Sequence, residues 1–210
     1  MNMTTLIKEP LQRLSGSGIR EFAQLAQKRE GCISLTLGEP DFNTPDDIKG
    51  ALKRALDSNL THYAPNAGYD SLRKAIADYE HQKGVFYKSN EVIVTIGATE
   101  ALFDALFAVI EPGDEVIVPV PAFSLYESII TMCDGKTVRL DTRESGFQIE
   151  EEQLRTAYST RTKAVILNSP NNPTGTVYTE ETLTCLHEFF KDKPVFIICD
   201  EVYSQLAFGT

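Results

Sequence analysis

The sequence predicts an α/β fold built on a mainly parallel sheet with helices on both faces. Three observations carry this expectation. Short runs that are apolar throughout recur in the second half of the chain, as at 195–199. Amphipathic stretches of helical length lie between them. Turn chemistry such as "EPGDE" and "KDKP" marks the boundaries. Strands apolar on both sides and alternating with helices belong to a sheet covered on two faces.

The elements follow in order. Residues 18–29 read as an amphipathic helix with Phe22, Leu25 and Ala26 on one face. A short strand at 33–37 runs into the loop "LGEPDFNTP". Thr44 then reads as the cap of a helix with Pro45 at its first position and Asp47 three residues after the cap. A second helix spans 70–83, with Leu72, Ile76 and Tyr79 along one stripe. Beyond Asn90, strands are expected at 91–96, 115–118, 136–140, 163–167 and 195–199. Helices fill the gaps at 99–110, 125–133, 150–158 and 180–191. No internal repeat is evident.

Composition narrows the function classes. At 210 residues and 42% hydrophobic, the chain is long enough to bury a sizeable core. A net charge of −10 with no basic cluster to offset it argues against a nucleic-acid partner. The longest apolar runs fall far short of a membrane span, and the first ten residues lack the apolar stretch of a signal peptide. Cys32, Cys133, Cys185 and Cys199 are widely spaced in apolar surroundings, and His62, His81 and His187 show no ligand spacing. That pattern suits reduced, structural cysteines in a cytoplasmic protein with no metal.

In open α/β sheets, ligands sit outside the carboxyl ends of the strands. Four of those ends carry unusual residues: "TIGATEA", "PVPAFSLY", "LNSPNNPTG" and "CDEVY". The fifth, "DTRESG", reads as ordinary solvated loop. In the first, Gly97, Ala98 and Thr99 open a helix directly after a strand, leaving free N–H groups suited to a phosphate. An ordinary capped helix is the plainer alternative. Phe123, two residues beyond Pro121, could stack on a flat ring or simply join the core. The prolines of "NSPNNPTG" stiffen a loop from which Asn168 or Asn172 could donate an amide hydrogen to a ligand oxygen. Asp200, at the mouth of an apolar run, must be paired or protonated. It could bond a helix N-terminus or a protonated ring nitrogen, with the Tyr203 phenol reaching the same ligand. Together these features describe a ligand with a phosphate, a flat ring, an oxygen acceptor and a basic ring nitrogen, which pyridoxal 5′-phosphate has.

The joint order of "SGIREF", "LTLGEPDFNTP", "HYAPNAGYDSLRKAI", "TIGATEAL", "PGDEVIVPVPAF", "SPNNPTG" and "DEVY" resembles the amino-terminal half of a class I/II aminotransferase, in the fold-type-I group of pyridoxal-phosphate-dependent enzymes. The resemblance implies an amino-terminal arm with part of the small domain over 1–44. The large, cofactor-binding domain would occupy 45–210, incomplete before its last strands. It implies an enzyme that transfers an amino group between an L-amino acid and a 2-oxo acid. Carbon–sulfur β-lyases share the fold and nearly the same site. A catalytically inactive cofactor-binding or association fragment is the reading from another class.

Residue roles follow from the same resemblance. Gly38 would lie against the substrate carboxylate, Ile19 would close over it, and Asn172 would border both substrate and cofactor. Tyr63 would reach across a homodimer interface to the cofactor phosphate of the other subunit, while Gly97, Ala98 and Thr99 hold the phosphate in their own. Phe123 would stack on the pyridine ring. Asn172 and Tyr203 would bond its phenolic oxygen, and Asp200 its nitrogen. The peptide bonds Val120–Pro121 and Asn172–Pro173 would be cis. The Schiff-base lysine of the family falls in an "SFSK"-like segment after "DEVY", and the last lysine here is Lys193. The 210-residue chain alone is therefore expected to be inactive. The "NAGY" loop resembles members acting on aromatic, aspartate-like or acylated diamino substrates.

Overall fold

A computed structural model describes residues 6–12, 14, 18–36, 38, 39 and 42–207. The chain divides into two compact units, Met1–Leu14 with Thr95–Thr210, and Ser15–Val94.

The larger unit is the predicted sheet. Its strands are β1 (Glu115–Val120), β2 (Lys136–Asp141), β3 (Thr162–Asn168) and β4 (Phe196–Asp200). All pair in parallel, in the order β2-β1-β3-β4. Its helices are α1 (Glu9–Gln12), α5 (Gly97–Val109), α6 (Leu125–Met132), α7 (Glu151–Ala157) and α8 (Glu180–Phe190), with a short 3-10 turn at Ser204–Leu206. Alternation along the strands builds two cores. Val116 and Val118 of β1, with Ala164 and Ile166 of β3, pack with Leu102 and Leu106 of α5 and with Ile129 and Ile130 of α6. The intervening Ile117, Val165 and Leu167 pack with Leu154 of α7 and Leu186, Phe189 and Phe190 of α8. The two clusters share no residue, as expected of a sheet covered on both faces. Where α6 gives way to β2, Gly135 leaves no room for a side chain. A Cβ there would lie 2.9 Å from Ile110 and 3.1 Å from Ile130.

The sheet's two edges differ. β2 carries Lys136, Arg139 and Asp141 along its length. β4 leaves Phe196 and Ile197 about half exposed (53% and 45%). Beyond β2, Arg143 forks onto Asp141 at 2.9 and 2.5 Å in the solvated loop expected there. At the opposite end of the sheet, the buried Glu115 accepts from Ser159 (2.6 Å), Arg161 (2.7 Å) and Lys136 (3.2 Å). The Ser159 hydroxyl, then the Arg161 guanidinium, hold its carboxyl down at about 2. Lys8, just before α1, reaches Asp134 at 2.6 Å and the carbonyl of Met132, tying the start of the chain to the end of α6.

The smaller unit holds α2 (Gly18–Gln27), α3 (Asp46–Asp57) and α4 (Asp70–Gln82), then a 3-10 turn at Ser89–Glu91. The cap of α3 is Pro45 rather than Thr44, with no side-chain hydrogen bond, and Asp46 and Asp47 meet the helix dipole in its first turn. Two expected strands do not form. Residues 32–35 have no ladder, with Ile33 and Leu35 almost fully exposed, and Leu37 lies outside the described residues. Along 91–96 the backbone finds partners other than a strand. The carbonyl of Val92 accepts from Arg73 Nε at 2.8 Å, and Val94 N–H donates to Ala67 O at 3.1 Å. Apolar alternation without a neighbouring strand cannot satisfy a ladder's donors and acceptors.

Candidate functional site

The strand order reverses between β1 and β3, so their carboxyl ends splay to leave a crevice. Register brings the chemistry to that end, with Asn168 closing β3 directly opposite Asp200, which closes β4. A cavity of about 140 Å³ opens there. Ala98 and Thr99 of α5, Phe123, Asn172, Asp200 and Tyr203 line it together with Leu102, Tyr126 and Val202.

Each lining group has a local cause. Gly97 sits at φ +79°, a left-handed conformation that a side chain would strain, at the first position of α5. Glu100 reaches back to the Ile96 N–H, and the cap residue Ile96 has no side-chain acceptor to offer. The N–H groups of Ala98 and Thr99 therefore open the helix without a capping side chain, beside the exposed Thr99 hydroxyl. Phe123 follows a cis Val120–Pro121 bond and is half-buried. It both lines the cavity and packs against the core.

The asparagine loop uses Asn168 and Asn172 differently. Asn168 is buried and spent on architecture, donating to the Asp200 carbonyl at 2.9 Å and accepting from Asn172 N–H at 2.8 Å. Asn171 builds the turn, its side-chain oxygen taking Thr174 Oγ1 at 3.0 Å. Asn172 keeps its amide in the cavity, where it donates to the Tyr203 hydroxyl at 3.2 Å. The Tyr203 proton is then free to donate onward. Asn172–Pro173 is cis, as is Ser169–Pro170.

Asp200 is 9% exposed, and its pairing is the arrangement that sequence reasoning missed. One carboxylate oxygen accepts the Tyr126 hydroxyl at 2.7 Å, and the other accepts Val202 N–H at 3.2 Å. Tyr126 reads in the sequence as one more apolar-face residue of "LYESIITM". The available signal was its hydroxyl, because a phenol inside a core needs a partner. Burial, then the bond to Asp200, pushes this phenol far above the ordinary tyrosine value. Burial likewise pushes Tyr178 up to about 12.

The remaining sequence-predicted residues, Ile19, Gly38 and Tyr63, belong to the smaller unit and are exposed within it, Tyr63 completely. A larger cleft of about 750 Å³ between α7 and α8 is lined by Glu151, Glu180, Glu181 and Glu188 with no basic group. That lining would repel a phosphate or a carboxylate.

The donor set at the strand ends fits pyridoxal 5′-phosphate group by group. Uncapped N–H groups suit the phosphate, an aromatic plate the ring, an amide and a phenol its oxygen, and a buried carboxylate its nitrogen.

The chain is 41% identical to the probable N-acetyl-LL-diaminopimelate aminotransferase of Bacillus subtilis over 98% of its own length and 53% of that relative. It is 40% identical to the aspartate/prephenate aminotransferase of Thermus thermophilus, over 88% of this chain and 49% of that one. The solved aspartate aminotransferase from Thermus thermophilus with maleate superposes with a TM-score of 0.92 at 37% identity, covering 97% of this chain and 55% of that one. The chain thus spans about half the length of the curated relatives it matches. With residues 30–210 matching the family described as Aminotransferase class I and II, the chain belongs to that family.

Proposed function

We propose that this chain forms the cofactor-holding half of a pyridoxal-5′-phosphate-dependent aminotransferase that moves an amino group between an L-amino acid and a 2-oxo acid. The observation that carries the reading is Asp200, a buried carboxylate at a strand end, sharing one cavity with Thr99, Phe123, Asn172 and Tyr203. The family assignment and aminotransferase relatives support it.

In this reading Gly97, Ala98 and Thr99 hold the phosphate and Phe123 lies on the ring face. Asn172 and Tyr203 hold the ring oxygen, and Asp200 keeps a proton on the ring nitrogen. When bound, the cofactor supplies an electron sink for the electron pair left as the substrate loses its α-proton. Ile19 and Gly38 border the substrate carboxylate, and Tyr63 reaches the phosphate of a second subunit in a homodimer. The division into an arm with a small-domain segment, 1–44, and a large domain, 45–210, belongs to the same proposal. So does a cytoplasmic location, supported by four free cysteines. No helix among the described residues is long and apolar enough to cross a membrane.

The test is to incubate the full-length protein with amino acids, 2-oxoglutarate and pyridoxal phosphate. Glutamate formation with matching 2-oxo acid supports the proposal. Pyruvate and ammonia released from a cysteine thioether, without amino transfer, would instead establish a β-lyase. No turnover with any amino acid would leave a cofactor-binding or association module.

A further inference from the structure

We propose that Tyr126 is a positioning residue whose phenol fixes the Asp200 carboxylate in the orientation that meets a pyridine-type ring nitrogen. This rests on the cofactor reading of the cavity and extends it to a residue outside the expected set.

The geometry carries the inference. Tyr126 is 2% exposed, on α6, within the core that α5 and α6 share. From there its hydroxyl crosses to a residue 74 positions away, at 2.7 Å from Asp200 Oδ2. Among the described residues the other donor to this carboxylate is a backbone group, Val202 N–H, at 3.2 Å to Oδ1. A carboxylate has about four lone-pair sites, so two bonds leave capacity facing the cavity that Asp200 and Tyr126 both line. With one oxygen held by a side chain and the other by the backbone, rotation about the last side-chain torsion is blocked. The open lone pairs then keep a single direction.

Tyr126 also meets Phe123, edge to face, with ring centroids 5.7 Å apart and an interplanar angle of 87°. One buried ring therefore braces both the aromatic wall and the carboxylate. Since burial and the Asp200 bond raise the phenol, it stays a donor across the working pH range.

A merely structural tyrosine would support every ligand of the cavity equally, whereas a positioning one supports the ring nitrogen. The probes are pyridoxal 5′-phosphate and its 1-deaza analogue, in which CH replaces that nitrogen. Both are titrated into the full-length protein by equilibrium dialysis, with thermal unfolding as the check on fold. Wild type should prefer the natural cofactor. Tyr126→Phe should erase roughly tenfold of that preference, the order that one charge-assisted hydrogen bond contributes. Its affinity for the deaza analogue should be unchanged. Tyr126→Met, which also lacks a donor, should give the same flattening. In an Asp200→Asn background, Tyr126→Phe should remove no further preference. Equal weakening of both ligands, or no change in either, would overturn the positioning role. Wild type binding both ligands equally would overturn the ring-nitrogen reading of Asp200 itself, and this inference with it.

Discussion

In the smaller unit, α2 and α3 are more sharply two-faced than α5 and α6 of the sheet unit, yet they bury far less. In the sheet unit, Leu106, Ile130 and Leu154 are fully enclosed between helix and strand. In the smaller unit, α2 exposes Phe22 and Leu25, and α3 exposes Ile48, Leu52 and Leu56, each by more than half. Its buried apolar residues, among those described, are Ala23 and Ala77. Periodicity announces that a helix has an apolar face without saying what covers it. A parallel sheet answers that question internally, because its strands supply surface to helices on both sides. Three helices without a sheet do not.

Four experiments would break or sharpen the contrast. The largest effect belongs to the sheet unit's chemistry. Asp200→Asn in the full-length protein should lower kcat for transamination by on the order of 10²–10³-fold, as loss of a preorganised electrostatic partner does. Its unfolding temperature should stay close to wild type. Near-normal turnover with a lowered unfolding temperature would make Asp200 a structural cap.

Next comes packing. Leu106→Ala should cost about 2–5 kcal/mol in denaturant unfolding, as a cavity in a closed core does. Leu25→Ala, at 59% exposure, should change stability by less than about 0.5 kcal/mol. A large loss for Leu25→Ala would show that α2 is covered in the whole protein and would dissolve the comparison.

Glycines repeat the test on a smaller scale. Gly135→Ala should cost about 1–3 kcal/mol by overpacking against Ile110 and Ile130. Gly18→Ala, with open space around it, should be close to neutral. Equal outcomes at both would mean that the turn before β2 relaxes freely.

The smallest effect concerns acid. Glu115's folded-state carboxyl is depressed to about 2 from an ordinary 4.5, so it contributes stability that is present above pH 4.5 and lost as pH falls towards 2. Ser159→Ala removes the largest cause and should shift acid unfolding to higher pH in circular dichroism titrations. An unchanged acid midpoint would assign acid sensitivity to other carboxylates.

The legibility of the sequence follows the same divide. The central strands β1 and β3 were readable because burial on both faces makes them almost continuously apolar, β4 because its own run is apolar, and Asp200 stood out because a carboxylate ended that run. The segments 33–37 and 91–96 carry similar residues, but strand formation depends on a neighbour that no local pattern encodes. Thr44 lost the α3 cap to its neighbour Pro45, a displacement of one residue. Gly97, Ala98, Thr99, Phe123, Asn172 and Tyr203 were legible as strand-end residues, and the fold brings Ala98, Thr99, Phe123, Asn172 and Tyr203 to one cavity with Asp200. Tyr126 was not, since its contact with Asp200 is nonlocal while its helix position already explains it as core. Asn168 and Asn172 look alike in the sequence, and only the pairing of β3 with β4 decides which one the architecture consumes.

The unequal edges of the sheet have a consequence for handling the protein. β2 ends the sheet in charge, and a charged edge discourages further strands from adding to it. β4 ends it in Phe196 and Ile197 with no lysine or proline among its residues, so its outer side is a template for strands of other molecules. Concentrated solutions of this 210-residue chain by itself should therefore scatter light increasingly with time, through edge-to-edge aggregation. Ile197→Lys, by placing a charge on that edge, should keep them clear.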